Sequence, residues 1–343
     1  MNTTCWFSKI NLLRFLIPIF LFLISFPNIL LSDQKKISTE EDIRKIYQSI
    51  VKIDSIVPAD ARTAKALGTV RGGNGVVIDD KHILTIGYIV VEAETITITL
   101  PNGGVVPAEL IGYDHTTGFG ILKTILPSKL SSLKIGDSDN LNKEETLYVL
   151  PYLSEGAPSA VKMVSRRSFT GWWEYFLDKP IYTHPMNSSF AGSALINEFG
   201  EILGIGSLYV SDAAAKGIPS PGNLFVPIND LKPILDDLIV NGKRTSDVKP
   251  YMGLTSNDDN GKVMITRVND DGPAAKAGFM ENDIILKVNK INIPDTENFY
   301  KTVWSQGGPG TLLDFEIERN SQIISLKLTT MDRNDFFVKP KYY

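Results

Sequence analysis

Asn187-Ser188-Ser189-Phe190-Ala191-Gly192-Ser193-Ala194-Leu195-Ile196-Asn197 runs directly into Glu198-Phe199-Gly200-Glu201-Ile202-Leu203-Gly204-Ile205-Gly206. Small and polar residues lead into an apolar run, a Glu-Phe-Gly-Glu turn reverses the chain, and a second apolar run returns. Two short apolar runs joined by such a turn predict a β-hairpin.

Outward from this hairpin the same signal repeats. Short β-branched runs at residues 75–78, 82–85, 96–100, 108–111, 120–124, 147–150 and 160–164 are separated by Gly, Asn, Asp and Pro. Regularly spaced short strands predict a closed barrel or a sandwich. Upstream, Ser38-Thr39-Glu40-Glu41 reads as a capping box for a short helix, followed by a strand over 50–57 and a loop over 59–66. Downstream, Asn229 or Asp230 is expected to cap a helix with Pro233 in its first turn and Asn241-Gly242 at its end. Residues 244–249 are charged and polar and read as a linker. A second unit, 250–331, alternates strands (263–268, 283–288, 312–318, 323–328) with short helices (274–277, 298–304). A tail over 332–343 carries Phe336, Phe337, Tyr342 and Tyr343 as docking side chains.

Composition narrows the function classes. The chain has 343 residues, 43% hydrophobic and 22% charged, with a net charge of −4, which suits two or three globular domains and gives no electrostatic footprint for nucleic acid. Its one cysteine, Cys5, precedes the apolar run, so the remaining chain has no disulfide and no thiolate chemistry. With His82, His115 and His184 as the only histidines, no metal site and no cofactor are expected. Lys9 and Arg14 precede a nearly unbroken apolar stretch, and Ser25-Phe26-Pro27-Asn28 breaks it. Residues 1–32 therefore read as a secretory signal, or as an uncleaved anchor through residues 15–31. Either reading exports the remainder.

The opening hairpin resembles the nucleophile loop of the HtrA (Deg) family of trypsin-like serine proteases, which reads G-N-S-G-G-P-L-[VI]-N. The resemblance continues in Asn74-Gly75-Val76-Val77-Ile78, in His82-Ile83-Leu84-Thr85-Ile86-Gly87-Tyr88-Ile89-Val90, in Gly112-Tyr113-Asp114-His115-Thr116-Thr117-Gly118-Phe119, in Ile135-Gly136-Asp137-Ser138 and in Phe225-Val226-Pro227-Ile228. In the second unit, Tyr251-Met252-Gly253-Leu254, Gly272-Pro273-Ala274-Ala275-Lys276-Ala277-Gly278 and Asn282-Asp283-Ile284-Ile285-Leu286-Lys287-Val288-Asn289 resemble the family's PDZ domain. Asn282 and Lys290 stand where that pattern has glycine. The resemblance implies a mostly β chain: a trypsin-like double β-barrel over 33–243, then a PDZ domain over 250–331.

Carried over residue by residue, the resemblance puts the catalytic triad at Tyr88, Gly118 and Ala191, so none of its members is intact. A triad needs a nucleophile, a base and a carboxylate that orients the base. Alanine has no nucleophile, tyrosine with a pKa of about 10 is a poor base at neutral pH, and glycine offers no carboxylate. Losing one member costs about 10⁴–10⁶ in rate. Ser189 and Ser193 also replace glycines around the oxyanion hole. The expectation is a pseudoprotease of the periplasm or cell envelope that binds exposed C-termini or extended segments of other proteins as a holdase, adaptor or sensor. A partner's C-terminus would add a strand beside 253–256, with its carboxylate on the Tyr251, Met252, Gly253 and Leu254 loop and its last side chain against Phe299 and Val303. The alternative is an endopeptidase of protein quality control using Ser189 or Ser193 with His184; a third reading is a scaffold whose groove stays empty. The family also implies a homotrimer. Phe169, Trp172, Trp173, Tyr175 and Phe176 form an aromatic loop that either recognises a partner or plugs the barrel end.

Overall fold

A computed structural model describes residues 36–337 apart from 127, 129 and 172–174. Residues 1–32, read above as a signal or anchor, and Trp172, Trp173, Tyr342 and Tyr343 lie outside the described residues. Thr39 caps α1 (Glu40–Tyr47): its hydroxyl accepts the Asp42 amide while the Asp42 carboxylate accepts the Thr39 amide, both at 3.1 Å. The capping box is thus one residue later than Ser38 and Glu41 suggest.

Six antiparallel strands close the first barrel: β1 (Ile50–Ile56), β2 (Val70–Val77), β3 (His82–Ile86), β4 (Thr95–Thr99), β5 (Val105–Tyr113) and β6 (Phe119–Thr124). Their order is β1-β2-β3-β6-β5-β4, and β1 pairs with β4 to shut the ring. Ile50, Ile53, Ile83, Leu84, Ile98 and Phe119 are fully buried; Ile83 and Leu84 point to opposite faces of β3, which is therefore covered on both sides. A short helix, α2 (Ala64–Leu67), lies in the stretch expected to be a loop.

The second barrel contains β7 (Thr146–Leu150), β8 (Ser159–Ser165), β11 (Ile181–His184), β12 (Ala194–Ile196), β13 (Ile202–Val210) and β14 (Gly222–Pro227), while β9 (Phe169–Gly171) and β10 (Tyr175–Leu177) make their own hairpin. The barrel order is β11-β14-β13-β12-β7-β8. The hairpin read first in the sequence is β12–β13, with Leu195 opposite Gly204. Asn197 builds its turn, its side-chain carbonyl accepting the Phe199 and Glu201 amides at 3.0 Å, as asparagine does in tight turns. The expected helix at 229 starts late. A 3-10 turn covers Ile228–Asp230, and α3 runs Leu235–Asn241, because Pro233 lacks an N–H and disfavours helical geometry at Lys232.

The third unit is a sheet of β15 (Leu254–Asp259), β16 (Lys262–Val268), β17 (Ile284–Val288), β18 (Ile291–Asn292), β19 (Leu312–Arg319) and β20 (Gln322–Thr329), with α4 (Pro273–Ala277) and α5 (Thr296–Ser305). Its order is β15-β16-β17-β19-β20, with β18 on β17. Phe279 and Phe299 meet Phe315 edge-on at 5.0 and 6.4 Å in its core. The chain is thus mostly β, two six-stranded barrels followed by a PDZ domain. The PDZ domain and the tail that follows it dock on the barrels through side chains. Ser168 donates to Glu297 at 2.5 Å, Phe176 meets Trp304 at 5.6 Å, and the Arg62 guanidinium lies 4.2 Å over Phe336.

Candidate functional site

Tyr88 lies in a 3-10 turn, Gly87–Ile89, directly after β3. Its hydroxyl donates to the Ser207 carbonyl of β13 at 2.8 Å, and burial pushes its pKa up. The side chain joins the two barrels and holds its proton, the opposite of what a base needs. Gly118, between β5 and β6, has φ of +82° and accepts the Gly87 amide at 2.6 Å. A Cβ there would stand 3.3 Å from Ile86 and 3.4 Å from the Tyr175 hydroxyl. The neighbouring carboxylate, Asp114, is buried and committed: it accepts Thr117 Oγ1 at 2.7 Å and Arg244 Nη2 at 2.9 Å.

The loop before β12 is pinned from the first barrel. The Asn74 amide and Nδ2 both donate to the Ala191 carbonyl at 2.9 Å, and Nδ2 also reaches the Ser189 carbonyl at 2.9 Å. Asn74 Oδ1 in turn accepts the Tyr152 amide at 2.7 Å. Gly192 has φ of +72°, and a Cβ there would collide with the Asn74 carbonyl at 2.0 Å.

Both serines named as substitute nucleophiles are spent. Ser189 Oγ donates to the Glu155 carbonyl and Ser193 Oγ to the Ser189 carbonyl, each at 2.5 Å. The Ser189 amide donates to Asn187 Oδ1 at 2.9 Å, so this N–H already has an acceptor. His184 Nδ1 donates to the Pro221 carbonyl at 2.8 Å, and His82 pairs with Asp79 at 2.7 Å. Among the described residues no serine hydroxyl is hydrogen-bonded to a histidine.

The structure brings Tyr88, Gly118 and Phe190 to the wall of one cavity between the barrels, about 580 Å³ in volume, with Ala191 adjoining Phe190 in the chain. Asn74 and Ser207 were not singled out from sequence, whereas Phe169 and Tyr175 of the aromatic loop line the same cavity. Asn74 is 2% exposed, and its stretch Gly72-Gly73-Asn74-Gly75 has no apolar alternation that would mark it.

The second candidate site is the end of the PDZ sheet. β15 is its edge strand, and the Asp258 carboxylate accepts the first amide of α5, Thr296, at 2.7 Å. Tyr251 packs against Phe336 at 5.2 Å, and its hydroxyl accepts from Asn269 at 2.7 Å. Phe299 and Val303, expected to line the groove, are wholly buried with Leu313 and Phe315 in the domain core. Their spacing of four residues sets them on one helix face. Phe336 and Phe337 do dock: Phe337 stacks on His115 at 4.9 Å.

Residues 73–205 match the family described as a trypsin-like peptidase domain, and residues 250–330 match the PDZ domain family. A serine protease Do-like HtrA of Lactobacillus helveticus is 25% identical over 327 residues, covering 86% of this chain and 76% of that protein. The serine endoprotease DegS of Escherichia coli K12 is 25% identical over 281 residues, covering 76% of each. Among solved structures, a serine endoprotease from Yersinia pestis superposes with a TM-score of 0.52 at 22% identity, over 89% of this chain and 100% of that one.

Proposed function

The chain belongs to the HtrA family of trypsin-like proteins carrying a PDZ domain, and from that premise we propose that it is a member that binds peptides without cutting them. The observation that carries this reading is the state of the cleft. The hydroxyls of Ser189 and Ser193 donate to backbone carbonyls and neither meets a histidine, which supports reading Ala191, Tyr88 and Gly118 as the family's triad positions. The binding function falls to the PDZ domain, where the edge of β15 accepts an extended C-terminal segment and the Tyr251–Leu254 loop receives its carboxylate. The protein then acts as a holdase, adaptor or sensor for exposed C-termini in the periplasm or cell envelope, exported by its apolar leader and assembled as a homo-oligomer.

A rival reading keeps proteolysis, and the names of the relatives favour it. It requires Ser189 or Ser193 with His184, and so requires those side chains to leave their present hydrogen bonds. Fluorescence polarisation with a library of C-terminal peptides tests the binding reading. Peptides with a free carboxylate should bind, and their amidated forms should bind at least about tenfold more weakly, as loss of a charge-assisted hydrogen bond predicts. No binder above background would overturn the proposal in favour of an unoccupied scaffold.

A further inference from the structure

The cavity of about 580 Å³ between the barrels has the size of a small-molecule site. Rings of Tyr88, Tyr113, Phe169, Tyr175 and Phe190 contribute to its wall. Two of the three tyrosine hydroxyls are already used: Tyr88 donates to the Ser207 carbonyl at 2.8 Å and Tyr175 to the Thr117 carbonyl at 2.6 Å. For those residues the wall therefore offers ring surface more than polar groups.

Arg333, in the 3-10 turn Arg333–Asp335, also lines the cavity. Its Nε is buried without a hydrogen-bond partner, and among the described residues Arg333 forms no ion pair. The guanidinium is held over the rings of Tyr251 and Phe337 at 5.1 and 5.8 Å. Its charge acts on Tyr113 and His115, and burial together with that charge keeps the His115 imidazole neutral. No Asp or Glu is among the residues lining the cavity. Arg333 is half-buried, and a guanidinium with a free buried N–H offers an incoming anion a charge-assisted hydrogen bond. Arg333 is the one Lys or Arg among the residues lining this cavity, Arg62 and Arg267 lining the smaller pocket next to it, and a single lining guanidinium suits a singly charged carboxylate better than a phosphate. A wall of rings suits a flat aromatic body, which gains offset or edge contacts beyond its buried area.

We propose that this cavity binds a small aromatic monocarboxylate, its rings against Tyr88, Phe169 and Phe190 and its carboxylate hydrogen-bonded to Arg333. The inference stands apart from peptide binding at the PDZ edge and does not require it.

Isothermal titration of the full chain with 2-naphthoate and with its uncharged counterpart 2-naphthamide tests it. Naphthoate should bind, and naphthamide should bind about tenfold or more weakly. Arg333→Gln should lower naphthoate affinity by a similar factor and leave naphthamide unchanged. Leu208→Trp, which fills the cavity, should abolish binding of both while circular dichroism shows a folded chain. Equal affinity of the unmodified protein for the two compounds, or no heat at millimolar naphthoate, would overturn the proposal without reference to any variant. Naphthoate binding that survives Leu208→Trp would also overturn it, by assigning the anion to the carboxylate loop of the PDZ domain.

Discussion

Tyr88 is a strut between barrels. Tyr88→Phe removes its bond to the Ser207 carbonyl and should cost about 1 kcal/mol of stability, read by urea denaturation, with no change in peptide affinity. Gly118 is held by backbone geometry: at φ of +82°, Gly118→Ala should destabilise by about 1–2 kcal/mol. Lys290 is the converse case. It has φ of +68°, where a side chain is strained, so Lys290→Gly should raise stability by up to about 1 kcal/mol. The positions at which the family resemblance puts the triad could be numbered in the sequence because flanking motifs count to them. The roles of Asn74 and Arg333 were not legible. Asn74 acts on Ser189, 115 positions away, and Arg333 acts on a cavity whose walls come from both barrels. Local pattern carries no signal for either.

At the level of elements, hairpins with alternating burial were legible. β1 and β5 follow the period of two closely enough that register sorts core from surface. β14 was not assigned, since all six of its residues, Asn223 included, are buried and a strand covered on both faces has no period to read. α5 shows a different limit. Phe299 and Val303, expected beside the peptide groove, are wholly buried, and their spacing places them on one helix face without saying what that face meets. The PDZ fold is also stapled by Arg319, whose Nε and Nη2 reach the two oxygens of buried Asp283 at 2.6 and 2.7 Å. Arg319→Ala leaves that carboxylate buried without its partner and should cost about 3–5 kcal/mol, seen as early melting of the PDZ transition in calorimetry.

Across the whole molecule, the tail ties the PDZ domain to the first barrel. His115 is packed against Tyr113 at 4.4 Å and Phe337 at 4.9 Å, with the Arg333 charge nearby. Burial and that charge hold its pKa well below the usual value of about 6.5. Below that pH the unfolded chain takes up a proton that the folded chain refuses. Stability is therefore lost as pH falls from about 6.5, by at most about 1.4 kcal/mol per unit from this group. His115→Phe should flatten the profile between pH 7 and 5, measured by chemical denaturation. The central claim is that this family scaffold has kept its shape and its peptide groove while its cleft has lost the chemistry. Incubation of the full chain with a fluorophosphonate probe, followed by peptide mass mapping, tests it most directly. The account predicts no covalent adduct on any serine and no cleavage of casein in the same sample. An adduct on Ser189 or Ser193 would contradict it.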